Sequence, residues 1–191
     1  MTKTIAPKLW IALLVIVVTS GFAFGRSGNV SNLKTMVQQQ ADNALSKDLG
    51  DFTVQLPNET WRLTSKSANS ASNNVEFIYG DRLDGFLQIR RVAVDSGSSL
   101  ADMIDREQNQ KLQFLSNFVN GKDENFKGNL SGKVVNYEFT QSGKQMSGRV
   151  YFLQDGEKNL YILRFTGYRD KLKAIRNQTD AIARTFKLKN N

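Results

Sequence analysis

The spacing of apolar residues changes along the chain, and each change marks a boundary. From Leu9 to Gly25 there are 17 residues without a charge, behind Lys3 and Lys8. The run lacks a polar face. It falls between the ~20 residues of a spanning helix and the ~7–15 of a signal-peptide core. Residues 1–25 are therefore expected to be a signal anchor or a signal peptide. "AFG", ending at Gly25, offers a small-x-small cleavage pattern, whereas apolar residues up to that point and Arg26 just after it favour an uncleaved anchor. Both readings put the rest of the chain on the extracytoplasmic side, periplasm or equivalent, and secreted there if the leader is removed. Lysines before the run place the N-terminus in the cytoplasm, although Arg26 and Lys34 beyond it reduce the bias.

Residues 26–50 are polar. Leu33, Met36, Val37, Ala41, Ala44 and Leu45 recur at helical spacing up to Gly50, which predicts a partly helical stalk in preference to a first helix of the domain. A period of two then takes over. Phe52, Val54 and Leu56 alternate with polar residues and stop at Pro57, and Trp61 opens a second strand after the turn. "SKSANSASNN" reads as a polar loop. "VEFIYG" and "GFLQIRRVAV" read as strands joined by a turn at "DRLDG". Ser98 or Ser99 caps a helix, with Asp102 three residues after Ser99 in capping-box position. Leu100, Met103, Ile104, Leu112, Leu115 and Val119 form its apolar stripe, which Glu107 and Gln108 interrupt. "GKVVNYEF", "SGRVYFLQD" and "NLYILRFTG" are three more strands separated by turn-like segments. A final helix is predicted from Asp170 as N-cap through Leu172, Ile175, Thr179 and Ile182, ending against Phe186. Strands joined by short turns, with two helices between and after them, predict an antiparallel sheet with helices packed on it, an α+β domain over residues 51–191.

Composition narrows the chemistry. There is no cysteine and no histidine, so no disulfide, thiolate nucleophile or Cys-based zinc site can form, and the commonest general base and metal ligand is missing. Catalytic and metal residues are accordingly expected to be none, and no cofactor is expected. "SNLK", Ser31 to Lys34, fits a serine acyl-enzyme motif without its companions. Asp81 and Asp84 fit turn chemistry better than a calcium site. Asp102, Asp105 and Glu107 read as a solvated helix face. Arg90, Arg91, Arg149 and Arg164 fall on strands with the aromatic residues, and alternation predicts rings inward and arginines outward, so no nucleic-acid partner is expected. The formal net charge is +8. From Glu157 onward there are nine Lys or Arg against three acids, a net of +6. Arg169, Lys171, Lys173, Arg176, Arg184, Lys187 and Lys189 form the candidate partner-binding patch, suited to an acidic protein or an anionic lipid surface.

The stretch from Phe52 through Val54, Leu56 and Pro57 to Trp61 resembles the start of PsbP-like domains, named after an extrinsic subunit of photosystem II. The strand Gly85 to Val94, the helix from Ser99, the strands carrying "VYFL" and "LYILRF", and the closing "IARTFKL" follow in the same order. The resemblance covers residues 51–189. It implies an α-β-α sandwich around an antiparallel sheet. The family includes thylakoid-lumen subunits, assembly factors, a nuclear Ran-binding protein and bacterial exported proteins, and it implies protein binding without catalysis. Metal sites of some plant members cannot be carried over to a chain without histidine.

Phe52, Leu56, Pro57, Trp61 and Phe186 are expected to form the structural core, with Trp61 and Phe186 on opposite sides of the sandwich. Three functions are open: a non-catalytic, membrane-anchored or exported module that assists a membrane-associated complex, a binder of anionic lipid or polyanion through the basic C-terminal helix, and a hydrolase working without histidine.

Overall fold

The computed structural model describes residues 45–66, 74–95, 97–156 and 159–189. The apolar leader, most of the predicted stalk and the Ser31–Lys34 motif lie outside them. Among the described residues, no helix is long and apolar enough to cross a membrane.

Among the described residues, ten strands and three α-helices follow in the order β1 (Leu45–Asp48), β2 (Phe52–Leu56), β3 (Trp61–Lys66), β4 (Asn74–Tyr79), β5 (Asp81–Ala93), α1 (Leu100–Glu107), β6 (Val119–Lys127), β7 (Ser131–Gln141), β8 (Lys144–Asp155), β9 (Asn159–Tyr168), α2 (Arg169–Ala174), α3 (Arg176–Thr185) and β10 (Lys187–Leu188). A seven-stranded antiparallel sheet runs β3-β4-β5-β9-β8-β7-β6. A smaller sheet, β1-β2-β10, is also antiparallel.

Alternation along the central strands divides the core into two layers. Tyr151 and Leu153 on β8 and Tyr161, Leu163 and Phe165 on β9 face the small sheet, α2 and α3. Val150 and Phe152 on β8 and Leu160 and Ile162 on β9 face α1, through Met103, Ile104 and Leu112. Helices thus cover both faces of an antiparallel sheet, as an α-β-α sandwich requires. Gly148 is needed where it stands: a Cβ there would lie 1.9 Å from Cζ of the buried Tyr137 ring opposite.

The Ser99 cap forms with both hydrogen bonds of the capping box, Asp102 N–H to Ser99 Oγ at 3.2 Å and Ser99 N–H to Asp102 Oδ2 at 2.8 Å. The helix is shorter than its apolar stripe suggests. It widens into a π-turn at Gln108–Leu112, and Val119 already belongs to β6. That strand was not expected, because only Phe126 of its nine residues is buried. An edge strand with both faces wet carries no alternation. Leu45–Asp48, predicted as the end of a helix, pairs with β2 instead. Gly50, at φ +96°, turns the chain between the two.

"DRLDG" is part of β5 and not a separate turn. The turn is at Gly80 (φ +62°), and the β4 ladder skips from Asp81 to Phe86. The predicted C-terminal helix is two helices meeting at Ile175. Tyr168 is the N-cap of the first without a side-chain bond, so Asp170 lies within its first turn and is not a cap.

Phe52, Leu56, Trp61 and Phe186 are buried to 2% exposure or less, and Pro57 is half-buried. Trp61 and Phe186 do not close opposite sides. Both belong to the layer under α2 and α3: Phe186 packs on Phe52 at 4.8 Å between centroids, and Trp61 on Phe165 at 5.9 Å. The strand-turn-Trp segment and the closing helix are thus one structural unit, joined also by a hydrogen bond from Trp61 Nε1 to Gln178 Oε1 at 3.0 Å. Truncating either ring to alanine is expected to cost ~3–5 kcal/mol, the range for large buried aromatics. A lowered urea midpoint would show it.

Candidate functional site

Leu172 and Ile175 anchor the start of the C-terminal helices by burying their side chains. Arg169 and Lys173, four residues apart on α2, share one face, and Arg176 at the start of α3 lines the same groove. Opposite them stand Asn136 and Glu138 of β7 and Ser147 of β8. The space between is a groove of about 470 Å³ lined by these residues, with Leu172 and Arg149 at its base. Glu138 and Asp170 hold Arg169 only loosely, at 3.9 and 3.8 Å. Among the described residues, Lys173 and Arg176 take part in no ion pair.

Arg149 does not point to solvent as its alternation predicted. Its side chain is 7% exposed and each of its three nitrogens is hydrogen-bonded. Nη2 meets Asp180 Oδ1 at 2.8 Å, Nε meets Tyr151 Oη at 2.7 Å, and Nη1 meets Asn136 Oδ1 at 2.6 Å. Tyr151 Oη also donates to Asp180 and lies 3.1 Å from Thr179 Oγ1. Thr179 in turn donates to the Arg176 carbonyl at 2.8 Å. Burial works against the charge on Arg149, but Tyr151 and Asp180 outweigh it and its pKa lies above the ordinary arginine value. Burial also pushes the Tyr151 phenol up. A fully satisfied network of this kind fixes α3 on the sheet and gives the groove a rigid base.

The other cations of the predicted patch are elsewhere. Lys171 reaches Asp84 at 3.9 Å. Arg184 donates to the Lys127 carbonyl at 2.8 Å and covers the Phe126 ring. Lys187 and Lys189 belong to the β10 end, where Lys189 pairs with Asp48. The structure brings Arg169, Lys173 and Arg176 together and separates the remaining four from them.

A second charged cluster lies on the opposite face of the sheet. Glu107, expected on a solvated helix face, is 5% exposed and accepts from Arg90 and Arg164, with Lys111 Nζ at 3.4 Å. Three cations thus surround one carboxylate. Burial, then the neighbouring Arg90 charge, lowers the Arg164 pKa to about 10. Arg164 Nε is buried without a hydrogen-bond partner. Among the described residues, no three acidic side chains gather where a metal ion could be held.

No protein-family model matches the sequence, and no curated protein does. Solved structures do match. CyanoP, the cyanobacterial PsbP of Synechocystis, superposes with a TM-score of 0.52 at 14% identity, over 76% of this chain and 91% of that one. The fold is PsbP-like. LpqN of Mycobacterium tuberculosis, described as involved in cell envelope biogenesis, gives 0.50 at 14% identity over 81% and 97% of the two chains. A mutant of the protein Mog1 gives 0.55 at 9% identity over 76% and 96%.

Within this PsbP-like fold, sequence reasoning missed Arg149, Asp180 and Glu107. The available signal was an arginine on a strand whose neighbours are apolar on both faces, "GRVYFL", which cannot have a wet side. The Glu107 cluster and the buried Tyr137 each give a testable expectation. Glu107→Gln would leave the half-buried Arg90 and Arg164 facing each other without their carboxylate, and removing one partner of a buried pair costs ~3–5 kcal/mol, an upper figure here. Chemical denaturation measures it, with Glu107→Asp as the milder comparison.

The second prediction is pH-dependent. Burial, only partly offset by the hydrogen bond with Thr166, raises the Tyr137 pKa to about 12. An unfolded phenol titrates near ~10. Between those values the unfolded chain has released a proton that the folded one keeps, so this stabilisation is complete below ~10 and is lost as pH rises towards the folded value. Tyr137→Phe should remove that loss, a difference of about 2–3 kcal/mol at the top of the window. Urea unfolding at graded alkaline pH is the measurement.

Proposed function

We propose that this chain is a non-catalytic module, exported and retained at the membrane by its leader, that assists the assembly or stability of a membrane-associated protein complex. It acts by holding an acidic segment of a partner protein in the groove between α2–α3 and β7–β8. The observation that carries this reading is that, among the described residues, Lys173 and Arg176 have no ion-pair partner beside the weakly held Arg169, over a base locked by Arg149 and Asp180. Cations that the fold leaves without internal partners are available to external ones, and a rigid groove loses little entropy on binding.

The absence of histidine and cysteine from the sequence supports binding in place of catalysis, because no side chain here combines a base poised near neutral pH with an activated nucleophile. The description of LpqN as acting in cell envelope biogenesis agrees with an envelope location. The apolar run of the leader supports extracytoplasmic placement.

Reversing Arg169, Lys173 and Arg176 together to glutamate should leave the melting temperature unchanged, since all three are exposed. It should abolish capture of the partner from solubilised membranes. Capture by the unmodified protein should weaken steeply with added salt, because exposed charges are screened within ~8–10 Å at ordinary ionic strength. If the reversed protein captures the same partner, the groove is not the docking site. If it loses only binding to protein-free phosphatidylglycerol vesicles, the groove holds lipid headgroups instead.

A further inference from the structure

The two ends of the sandwich differ in the surface they show. One end is traced by the strand pairings. Leu45 pairs with Leu56, and the turn after Leu56 is bonded to the next one, Gly80 N–H to Thr60 carbonyl at 3.2 Å. Tyr79 pairs with Asp81, Phe86 with Thr166, Met146 with Tyr168, and Thr140 with Gln145. All of these residues lie at the same end. Asp51, bonded to Arg91 and to the Lys189 N–H, marks the other.

The described residues include four exposed large hydrophobic side chains, of which Leu63 lies within β3 and the other three are Leu83, Phe114 and Val119. Leu83 (39% exposed) is in the stretch of β5 that skips the ladder at the first end. Phe114 (77% exposed) is on the loop after α1, which is tied to that end by a 2.7 Å bond from Thr140 N–H to the Ser116 carbonyl. Asn117 adds a side-chain bond to Thr140 Oγ1 at 3.1 Å. The phenyl ring therefore projects from a fixed loop. Val119 (61% exposed) follows on β6. Two cations at this end lie over aromatic rings, Arg82 over Phe86 at 4.2 Å and Lys144 over Tyr168 at 5.0 Å. Ring-and-cation pairs beside projecting apolar side chains suit the headgroup level of a bilayer, where rings sit and long cations extend to the phosphates.

We infer that this end of the domain rests on an anionic bilayer surface, with Phe114 and Leu83 entering the interface and Arg82 and Lys144 meeting the phosphates. The inference rests on the proposed membrane retention. Within that reading the chain itself indicates the occupant. Only the 19 residues from Arg26 to Ala44 separate the apolar run from Leu45, and Leu45 enters the fold at this end. The tether keeps Phe114 and Leu83 close to the surface they fit, at high effective concentration.

The absence of native cysteine allows a clean test. Phe114→Cys, Leu83→Cys and, at the opposite end, Lys187→Cys are made singly in the full chain and labelled with an environment-sensitive fluorophore. All three positions are exposed, and an unchanged melting temperature verifies each fold. The proteins are reconstituted into vesicles of phosphatidylcholine and phosphatidylglycerol and quenched with aqueous iodide. Labels at 114 and 83 should be blue-shifted and quenched several-fold less than the label at 187. Equal quenching at the three positions, in protein that floats with the vesicles, overturns the inference and leaves membrane retention intact. Failure to float overturns both. Shielding at 114 that persists in detergent extracts of native membranes, and is absent from pure vesicles, assigns this end to a protein and also overturns the inference.

Discussion

Strands β8 and β9 have no wet face, and the fold is organised around that constraint. Side chains from both strands are buried towards the small sheet and the C-terminal helices on one side and towards α1 on the other. Each strand nevertheless carries one arginine into this environment, and the two point to opposite faces. Arg149 is neutralised by Asp180 of α3, and Arg164 by Glu107 of α1. A guanidinium stranded between apolar layers would be costly without its carboxylate. The position of each covering helix is therefore tied to one charge on the sheet beneath it. Hydrophobic contact would let a helix slide or rotate over Val, Leu and Ile, whereas a carboxylate aimed at a fixed guanidinium admits one register.

The two pairings have different consequences because their surroundings differ. Around Arg149 the donors and acceptors balance: Asn136, Tyr151, Thr179 and Asp180 satisfy one another, and the groove above inherits a rigid base. Around Glu107 the cations are in excess and one guanidinium nitrogen has no partner. The helix leaving this cluster widens at once into a π-turn and ends in the loop that projects Phe114. Widened turns of this type occur at functional positions more often than in plain structural helices.

How far the sequence discloses this depends on which residues carry the signal. The stretch from Phe52 to Trp61 was legible because one face of β2 is buried and the other is not, so alternation, proline and tryptophan all point to the same strand-turn-strand path. The α1 cap was legible because Ser99 and Asp102 need only each other. β6 was not, because an edge strand with one buried residue has no pattern to read. Glu107 and Arg149 were misread for a shared reason: alternation and helical periodicity assign charged residues to water, and only long-range pairing across 57 or 31 residues reverses that assignment. The break at Ile175 escaped as well, since Leu172, Ile175, Thr179 and Ile182 keep one apolar stripe across it and all are buried.

The same internal pairing shapes the candidate site. Of the three acids from Glu157 onward, Asp180 is committed to Arg149, a residue outside that basic segment. The nine cations of the segment are thereby left with less acidic compensation at the surface than the sequence count suggests. Arg164 is withdrawn to Glu107, Arg184 to a carbonyl and an aromatic ring, and Lys189 to Asp48. Among the described residues, Arg169, Lys173 and Arg176 gather on one side of α2 and α3, around a groove with a rigid base, and Lys187 lies apart on β10. A patch spread over the whole helix would attract any polyanion weakly. In the proposed docking, three cations along a rigid groove, with Glu138 and Asp170 at its rim, would discriminate by the position of negative charge, because a misplaced carboxylate would meet an acid where it needs a base.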